Sequence, residues 1–389
     1  MRPQRGESAR TSYAYDDGAT PPAASTPQQD HVAESARVLL RGIEPSVPRS
    51  MRDVLTSVHP RYAELAGAHL DSVEAVTDAL RGIHTSGLLE GPHGPRGMRD
   101  RCEALCEVAA LDLSLARLME GHLDARAIIR EAGRSPAAGP LYGVWAADSK
   151  DASLSAEQEG STWRLRGTKR YCSGAIGLDR ALVTARAHDG SRLFEVDLRA
   201  VGVTPLPGTW PAVGMAGSGS LDVSFDLRVP PTSEVGPADF YVQRRGFWHG
   251  SVGVAACWLG GAVGCARMLA ARLRATPPDA HAAAHFGAIV AECHTMGTVL
   301  ERAALEIEVR DVEKAADPDA HLRALLVRQA IEQGCQRVLT ATGRASGSSP
   351  LAFDAVHARR AADLVVYLRQ HHAERDLVSL ARLKLGGLS

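Results

Sequence analysis

GFWHGSVGVAACWLGGAVGCARML, residues 246–269, decides the fold class of this chain. It contains no acidic residue and no proline, and its one charged side chain, Arg267, lies near its end. Apolar residues and glycines occupy almost every face, which predicts a helix buried on all sides rather than an amphipathic surface helix. The segment is long enough to cross a bilayer, but frequent glycines and His249 interrupt it and no second apolar segment accompanies it. We therefore expect the central helix of a soluble helical domain.

The composition changes along the chain and indicates four parts. Residues 1–29 are rich in Pro, Ala, Ser and Thr and poor in apolar side chains, so we expect a disordered extension. A region of helical periodicity follows. After it come β-type runs separated by glycines, and then a second region of helical periodicity. We divide the chain into this extension (1–29), an N-terminal helical domain (30–139), a middle β-domain (140–236) and a C-terminal four-helix bundle (237–389).

Apolar spacing, caps and turn residues locate the elements within these parts. Helices are predicted at 31–41, 73–82, 240–273, 280–315, 319–342 and 357–385, and one or two helices at 98–130. Strands are predicted at 142–145, 162–167, 170–174, 181–186, 192–198 and 221–225. Gly, Asp and Ser turns separate the strands at short intervals, which is typical of a small antiparallel barrel or sandwich. The fold class is therefore α+β.

Charge and cysteine content narrow the function. Lys and Arg number 44 against 45 Asp and Glu, and both signs are mixed, so no surface for nucleic acid or an anionic membrane is indicated. The seven cysteines match no zinc or redox spacing, and we expect reduced core thiols and no metal site. The N-terminus carries no apolar signal segment, so we expect a cytoplasmic protein.

Two motifs follow one another in the predicted β-domain. The first is WRLRGTKRYCSGA at 163–175, followed by DRALVTAR at 179–186. The second is VGMAGSGSLDVSFD at 213–226, followed by Val229-Pro230. Both motifs, in this order, resemble conserved segments of the acyl-CoA dehydrogenase superfamily, and the resemblance covers roughly residues 30–385. It implies the domain order given above, with FAD bound between the last two domains.

The resemblance also implies positions that contact cofactor and substrate. Tyr171 and Ser173 fall where the family places an aromatic ring and a hydroxyl against the flavin, and the hydroxyl can donate toward N5 or O4. Trp145 matches a flavin-contacting loop. The remaining implied positions are Arg274, His281, Arg344 and Gly347 for the flavin pyrophosphate, and His122, Ser218, Ser220 and Gln370 for the substrate. The family's Arg-x-x-Phe motif is altered in the corresponding stretch, residues 272–286.

The family's catalytic carboxylate has no counterpart at the expected position. A dehydrogenase removes an α-proton from a thioester while the flavin takes the β-hydride, and the family uses a Glu for this step. Here that position falls on Gln370, and the alternative position falls near Val254. Candidate replacement bases are His371, His372 and Glu374, in the run 369–376, and His249 at the N-terminal end of the central helix. A neutral imidazole accepts protons near pH 7.

The resemblance implies α,β-dehydrogenation of an acyl thioester on CoA or a carrier protein, with electrons passing to a separate acceptor. It also implies a homodimer or homotetramer. The missing Glu leaves two alternatives open. One is a flavin monooxygenase or oxidase on the same fold, in which reduced flavin reacts with oxygen. The other is a homologue that has lost catalysis and serves as a scaffold.

Overall fold

The computed structural model describes residues 70–89, 97–149, 151–313 and 317–386. The predicted extension (1–29) and the predicted helix at 31–41 lie outside the described residues. The described residues belong to one compact unit. The domain boundaries near residues 140 and 237 remain predictions from the sequence.

Helices flank a central group of seven strands in the order that the sequence predicts. The helices are α1 (Val73–Thr85), α2 (Met98–Leu111), α3 (Leu113–Glu131), α4 (Phe240–Gln243), α5 (Phe247–Ala275), α6 (Ala280–Glu313), α7 (Ala320–Ser346), α8 (Ser349–Phe353), α9 (Ala355–Tyr367) and α10 (Glu374–Leu385). The strands are β1 (Tyr142–Trp145), β2 (Leu154–Glu159), β3 (Thr162–Cys172), β4 (Arg180–Ala187), β5 (Gly190–Asp197), β6 (Val203–Leu206) and β7 (Leu221–Val229). Short 3₁₀ turns cover Ala216–Ser218, Pro231–Ser233 and Leu368–Gln370.

The seven strands form one mixed sheet, so the prediction of an antiparallel domain is wrong in part. The order is β1-β4-β2-β3-β7-β6, with β5 also paired to β4. β4 runs parallel to β1 and β2, and the other pairs are antiparallel. The polar β2 and the short, proline-containing β6 were not predicted, because neither has an alternating apolar pattern.

β3 is a single strand where the sequence predicted two. Gly167, the last residue of the first predicted strand, lies inside the observed strand with a φ of +130°, and a Cβ there would lie 2.2 Å from the carbonyl oxygen of Ser153. Glycine is therefore required for close approach of the neighbouring chain. A register irregularity between Lys169 and Cys172 then turns the end of β3 toward the helices.

α5 is the buried central helix that the sequence predicts. Its length and composition would allow it to cross a membrane, but 83 % of its most apolar window is buried inside the protein. A Cβ on Gly260 would lie 2.3 Å from the carbonyl oxygen of Cys106, so α2 packs directly on the α5 backbone. The stretch 98–130, predicted as one or two helices, forms two, because Asp112 is extended there and caps α3 through the Leu115 N–H.

The predicted helix at 357–385 is interrupted. α9 ends at Tyr367, the 3₁₀ turn follows, and α10 begins at Glu374. Ala373, just before α10, has a φ of +48°, a left-handed conformation that is unfavourable for a side chain with a Cβ. The break therefore falls on the histidine-containing stretch that the sequence nominates for catalysis.

Candidate functional site

Three buried serines meet where the sheet contacts the helices. Ser173 Oγ lies 2.9 Å from Ser220 Oγ, which lies 2.8 Å from Ser218 Oγ. Ser218 donates its proton to the carbonyl oxygen of Met215 at 2.7 Å. Each hydroxyl has one proton, so Ser220 donates to Ser218 and Ser173 donates to Ser220. We call these three residues the serine cluster. In this arrangement Ser173 presents lone pairs, and not a proton, to any further group.

A carboxylate on α9 supports the loop that carries two of these serines. Asp363 Oδ1 accepts the Met215 N–H at 2.6 Å, and Met215 has a φ of +60°. A Cβ on Gly214 would lie 2.4 Å from the carbonyl oxygen of Ala362, so the loop lies directly on α9. Burial, with Asp112 nearby, raises the pKa of Asp363 to about 6. Sequence reasoning missed Asp363 because 148 residues separate it from Met215.

Tyr171 provides an aromatic surface beside the serine cluster. It has a φ of +60°, and 50 % of the residue is exposed. The Trp210 ring lies edge-on at 6.4 Å, and the Arg170 guanidinium lies 5.4 Å from the ring centre. Val213 is also exposed. Strained and half-exposed aromatic residues are typical of ligand contacts, so the structure brings Tyr171 and Ser173 together in a form that can receive a flat ring.

Trp145 and His122 have structural roles in this arrangement. The Trp145 ring is buried in the core of the sheet, and its indole N–H donates to the carbonyl oxygen of Ser173 at 3.0 Å. It holds the Ser173 backbone and has no exposed face for a cofactor. His122 is fully buried, and its Nδ1 accepts the Tyr142 N–H at 3.1 Å, which ties α3 to β1.

His371 is buried after the 3₁₀ turn that follows α9. Its side chain is 2 % exposed, and its Nδ1 accepts the Ala373 N–H at 3.1 Å. The proton of the neutral ring therefore lies on Nε2. Burial lowers the pKa of His371, so the ring is neutral at pH 7. Nε2 lies 3.6 Å from Asp376 Oδ2, beyond hydrogen-bond distance, and has no hydrogen-bond partner among the described residues.

An arginine holds the backbone before His371 in place. Arg328 is buried on α7 and donates to the carbonyl oxygen of Gln370, and its guanidinium lies 4.6 Å from the centre of the Trp258 ring. Burial lowers the pKa of Arg328 to about 10, which still leaves it charged at neutral pH. The Gln370 side chain is exposed. Gln370 therefore positions His371 through its backbone.

A groove of about 730 Å³ lies between α6, α7 and the start of α10. It is lined by three of the predicted site residues, Arg344, His371 and Glu374. The other predicted pyrophosphate contacts, Arg274, His281 and Gly347, are exposed and do not line it. Of the four predicted pyrophosphate contacts, Arg344 is therefore the one that lines this groove.

A second cavity of about 540 Å³ lies at the N-terminal end of α5. We call it the polar pocket. His249 lies on its wall, and its Nε2 is 3.2 Å from Asp317 Oδ2. Burial lowers the pKa of His249, so this ring too is neutral at pH 7. The polar pocket is thus separate from the groove that His371 lines, and the two predicted histidine bases do not share a site.

The comparisons with known proteins agree with this architecture. No family model and no curated protein sequence matches the chain. Solved structures do. TdsC from Paenibacillus sp. A11-2 with FMN and indole has a TM-score of 0.73 and 16% identity, covering 87% of this chain and 98% of TdsC. KijD3 with FMN and a dTDP-amino-keto sugar has a TM-score of 0.75 and 18% identity, covering 89% and 96%. The methanesulfinate monooxygenase MsuC from Pseudomonas fluorescens has a TM-score of 0.68 and 15% identity, covering 93% and 97%.

The chain combines helices, a mixed sheet and a buried helical core, so its fold class is α+β. It matches these solved structures over almost their full length. The chain has the fold of the acyl-CoA dehydrogenase superfamily, as its two β-domain motifs predicted.

Proposed function

We propose that the protein is a flavin-dependent monooxygenase that uses FMN. The observation that carries this proposal is His371, a buried neutral imidazole whose Nε2–H has no acceptor within the part of the chain that the structure describes, next to Gln370 at the position of the family's carboxylate base. Such a ring donates a hydrogen bond to a reacting oxygen and is poorly suited to removing a thioester α-proton. TdsC, which is described as a dibenzothiophene monooxygenase, and MsuC support the same reading.

The residues present fit a flavin ring better than a full FAD. Tyr171 offers an exposed ring beside the lone pairs of Ser173. When bound, reduced flavin supplies the two electrons with which molecular oxygen inserts one atom into a substrate and releases the other as water. Arg274, His281 and Gly347 do not line the groove that Arg344 lines, and Ala283 replaces the arginine three residues before Phe286 in the family's Arg-x-x-Phe motif. Both facts favour FMN.

The purified protein is expected to carry or take up FMN in preference to FAD. The reason is that the adenosine half of FAD would find few of the contacts that the family uses. Flavin released by heat should be identified by mass spectrometry, and affinities for the two flavins should be compared by fluorescence quenching. Tighter binding of FAD would contradict this part of the proposal.

Oxygen reactivity separates a monooxygenase from a dehydrogenase. We expect the chemically reduced holoprotein to react with ¹⁸O₂ and to transfer label to one of three probes: indole, dibenzothiophene or methanesulfinate. Under anaerobic conditions, a panel of acyl-CoAs should leave the oxidised flavin unbleached. Glu374→Gln should change neither result, because Glu374 is exposed at the start of α10. Bleaching by an acyl-CoA that is lost in Glu374→Gln would instead establish the dehydrogenase.

A homodimer is part of the same proposal. α8 and α9 leave large apolar side chains exposed, including Phe353 at 88 %, Leu351, Val356 and Val365. Exposed apolar surface of this kind is typical of a protein–protein interface. A second copy of the chain would cover it.

In a monooxygenase, molecular oxygen takes the place of the separate electron acceptor that a dehydrogenase requires.

A further inference from the structure

Most charges in the wall of the polar pocket are already neutralised. Arg244, whose side chain is 2 % exposed, contacts Asp124 at 3.3 Å and Glu131 at 3.2 Å. Arg245 pairs with Asp311 at 3.1 Å. His249 is neutral and adds no charge. The three acids that line the pocket, Asp124, Glu131 and Asp311, therefore all pair with arginines.

Arginine N–H groups in the same wall remain unused. Arg101 Nε and Nη2 are buried and have no hydrogen-bond acceptor among the described residues, and neither has Nε of Arg244 or Arg245. Arg101 Nη2 lies 3.7 Å from Asp124 Oδ1, beyond hydrogen-bond distance. A buried guanidinium without acceptors is costly unless a ligand satisfies it. Four unused donors from three arginines therefore line one cavity.

The rest of the wall is apolar. Besides three glycines, it consists of Leu89, Met98, Leu123, Ala127 and Ile307. The volume of about 540 Å³ is in the range of small-molecule sites. Unused guanidinium N–H groups beside an apolar wall match a ligand with an anionic group and an apolar body.

The polar pocket is distant from the serine cluster. Ser114, near the start of α3, lies 3.2 Å from where a Cβ on Gly217 would be, beside the cluster. Asp124 follows ten residues later on the same helix, or about 15 Å along its axis at 1.5 Å per residue. A small ligand cannot contact both places.

We propose that the polar pocket is a binding site for a small organic acid, with its anionic group on Arg101 and its apolar body against Leu123 and Ile307. Arg101 presents two adjacent N–H groups, the fork that recognises a carboxylate with two parallel hydrogen bonds. The site needs neither flavin nor turnover, so it stands or falls independently of the proposed monooxygenase activity.

Calorimetric titration of the full chain with benzoate, 4-phenylbutanoate and hexanoate, each beside its uncharged amide, tests this site. We expect at least one acid to bind and its amide to bind about 10- to 100-fold more weakly, because charge-assisted hydrogen bonds are lost. Arg101→Gln should weaken acid binding by a similar factor. The control is Arg99→Gln, on the same helix but outside the pocket wall, which should bind the acid like the wild type.

Three results would overturn the proposal: no binding of any acid, equal binding of acid and amide, or acid binding that Arg101→Gln leaves unchanged. Arg101→Lys keeps the charge but loses the fork, and it should bind the acid with intermediate affinity. If Arg101→Gln does not fold, Arg245→Gln replaces it as the test, with the same expected direction. Each titration is run with and without FMN, so that a failed flavin assignment does not affect the outcome.

Discussion

Replacing His371 with alanine is expected to lower product formation from an oxygenated probe by about 10²- to 10⁴-fold, the usual contribution of a positioned proton-transfer group. The flavin should stay bound, because His371 is buried behind the 3₁₀ turn and Tyr171 and Ser173 are unchanged. Oxygen consumption should continue, with hydrogen peroxide released in place of oxygenated product. The ratio of peroxide to product is therefore the decisive measurement.

The physical reason lies in the proton that His371 holds. Its Nδ1 is occupied by the Ala373 N–H, so only Nε2–H is available, and Asp376 is too far to accept it. Removing the ring removes this one donor. The hydrogen bond from Arg328 to the carbonyl oxygen of Gln370 still holds the 3₁₀ turn. His371→Gln, which keeps a donor on a flexible chain, should recover part of the product yield.

The adjacent histidine provides a matched control. His372 is exposed, and its Nδ1 lies 3.3 Å from Asp376 Oδ1 in a surface pair that contributes little. His372→Ala should therefore oxygenate the probe at close to the wild-type rate. Equal peroxide-to-product ratios in His371→Ala and the wild type would remove His371 from the reaction.

Features that depend on local pattern could be predicted from the sequence. The burial of α5 follows from apolar residues on every face, and its contact with α2 follows from Gly260. The two family motifs assigned Ser173 to the flavin and Ser218 and Ser220 to the substrate, and the structure joins the three hydroxyls in one cluster. Such features need only neighbouring residues or a family motif.

Features that depend on distant partners could not be predicted. Arg244 and Asp124 are 120 residues apart, and Arg328 and Gln370 are 42 residues apart, so no spacing in the sequence links them. The same holds for the parallel pairing of β4 with β1 and β2, since β2 lacks an alternating pattern. Only the packed structure shows which polar groups are satisfied and which remain free.

Asp363→Asn is expected to stabilise the protein at neutral pH. The folded-state pKa of Asp363, about 6, is higher than its ordinary value of 3.8. The stability that this raised pKa contributes is fully present below pH 3.8 and is lost as the pH rises through 6. The difference corresponds to about 3 kcal/mol of unfolding free energy at pH 7. Asparagine keeps an oxygen acceptor for the Met215 N–H and never has to ionise.

Urea unfolding of the wild type and Asp363→Asn between pH 4 and pH 8 measures this effect. The two unfolding free energies should be close at pH 4 and should separate between pH 4 and pH 6, with the variant more stable above that range. Parallel curves over the whole range would show that the carboxyl ionises normally in the folded protein. Groups elsewhere in the chain titrate in both proteins, so they cancel in the difference.

Asp363→Ala tests the hydrogen-bond acceptor for the Met215 N–H separately from the negative charge of Asp363. Alanine leaves the buried Met215 N–H without a partner, which costs about 1–3 kcal/mol relative to Asp363→Asn at every pH. Met215 also holds a left-handed backbone conformation and accepts the Ser218 proton, so the loss should extend to the serine cluster. FMN affinity should therefore fall in Asp363→Ala and be retained in Asp363→Asn. Equal affinities would mean that the loop carries its serines without support from α9.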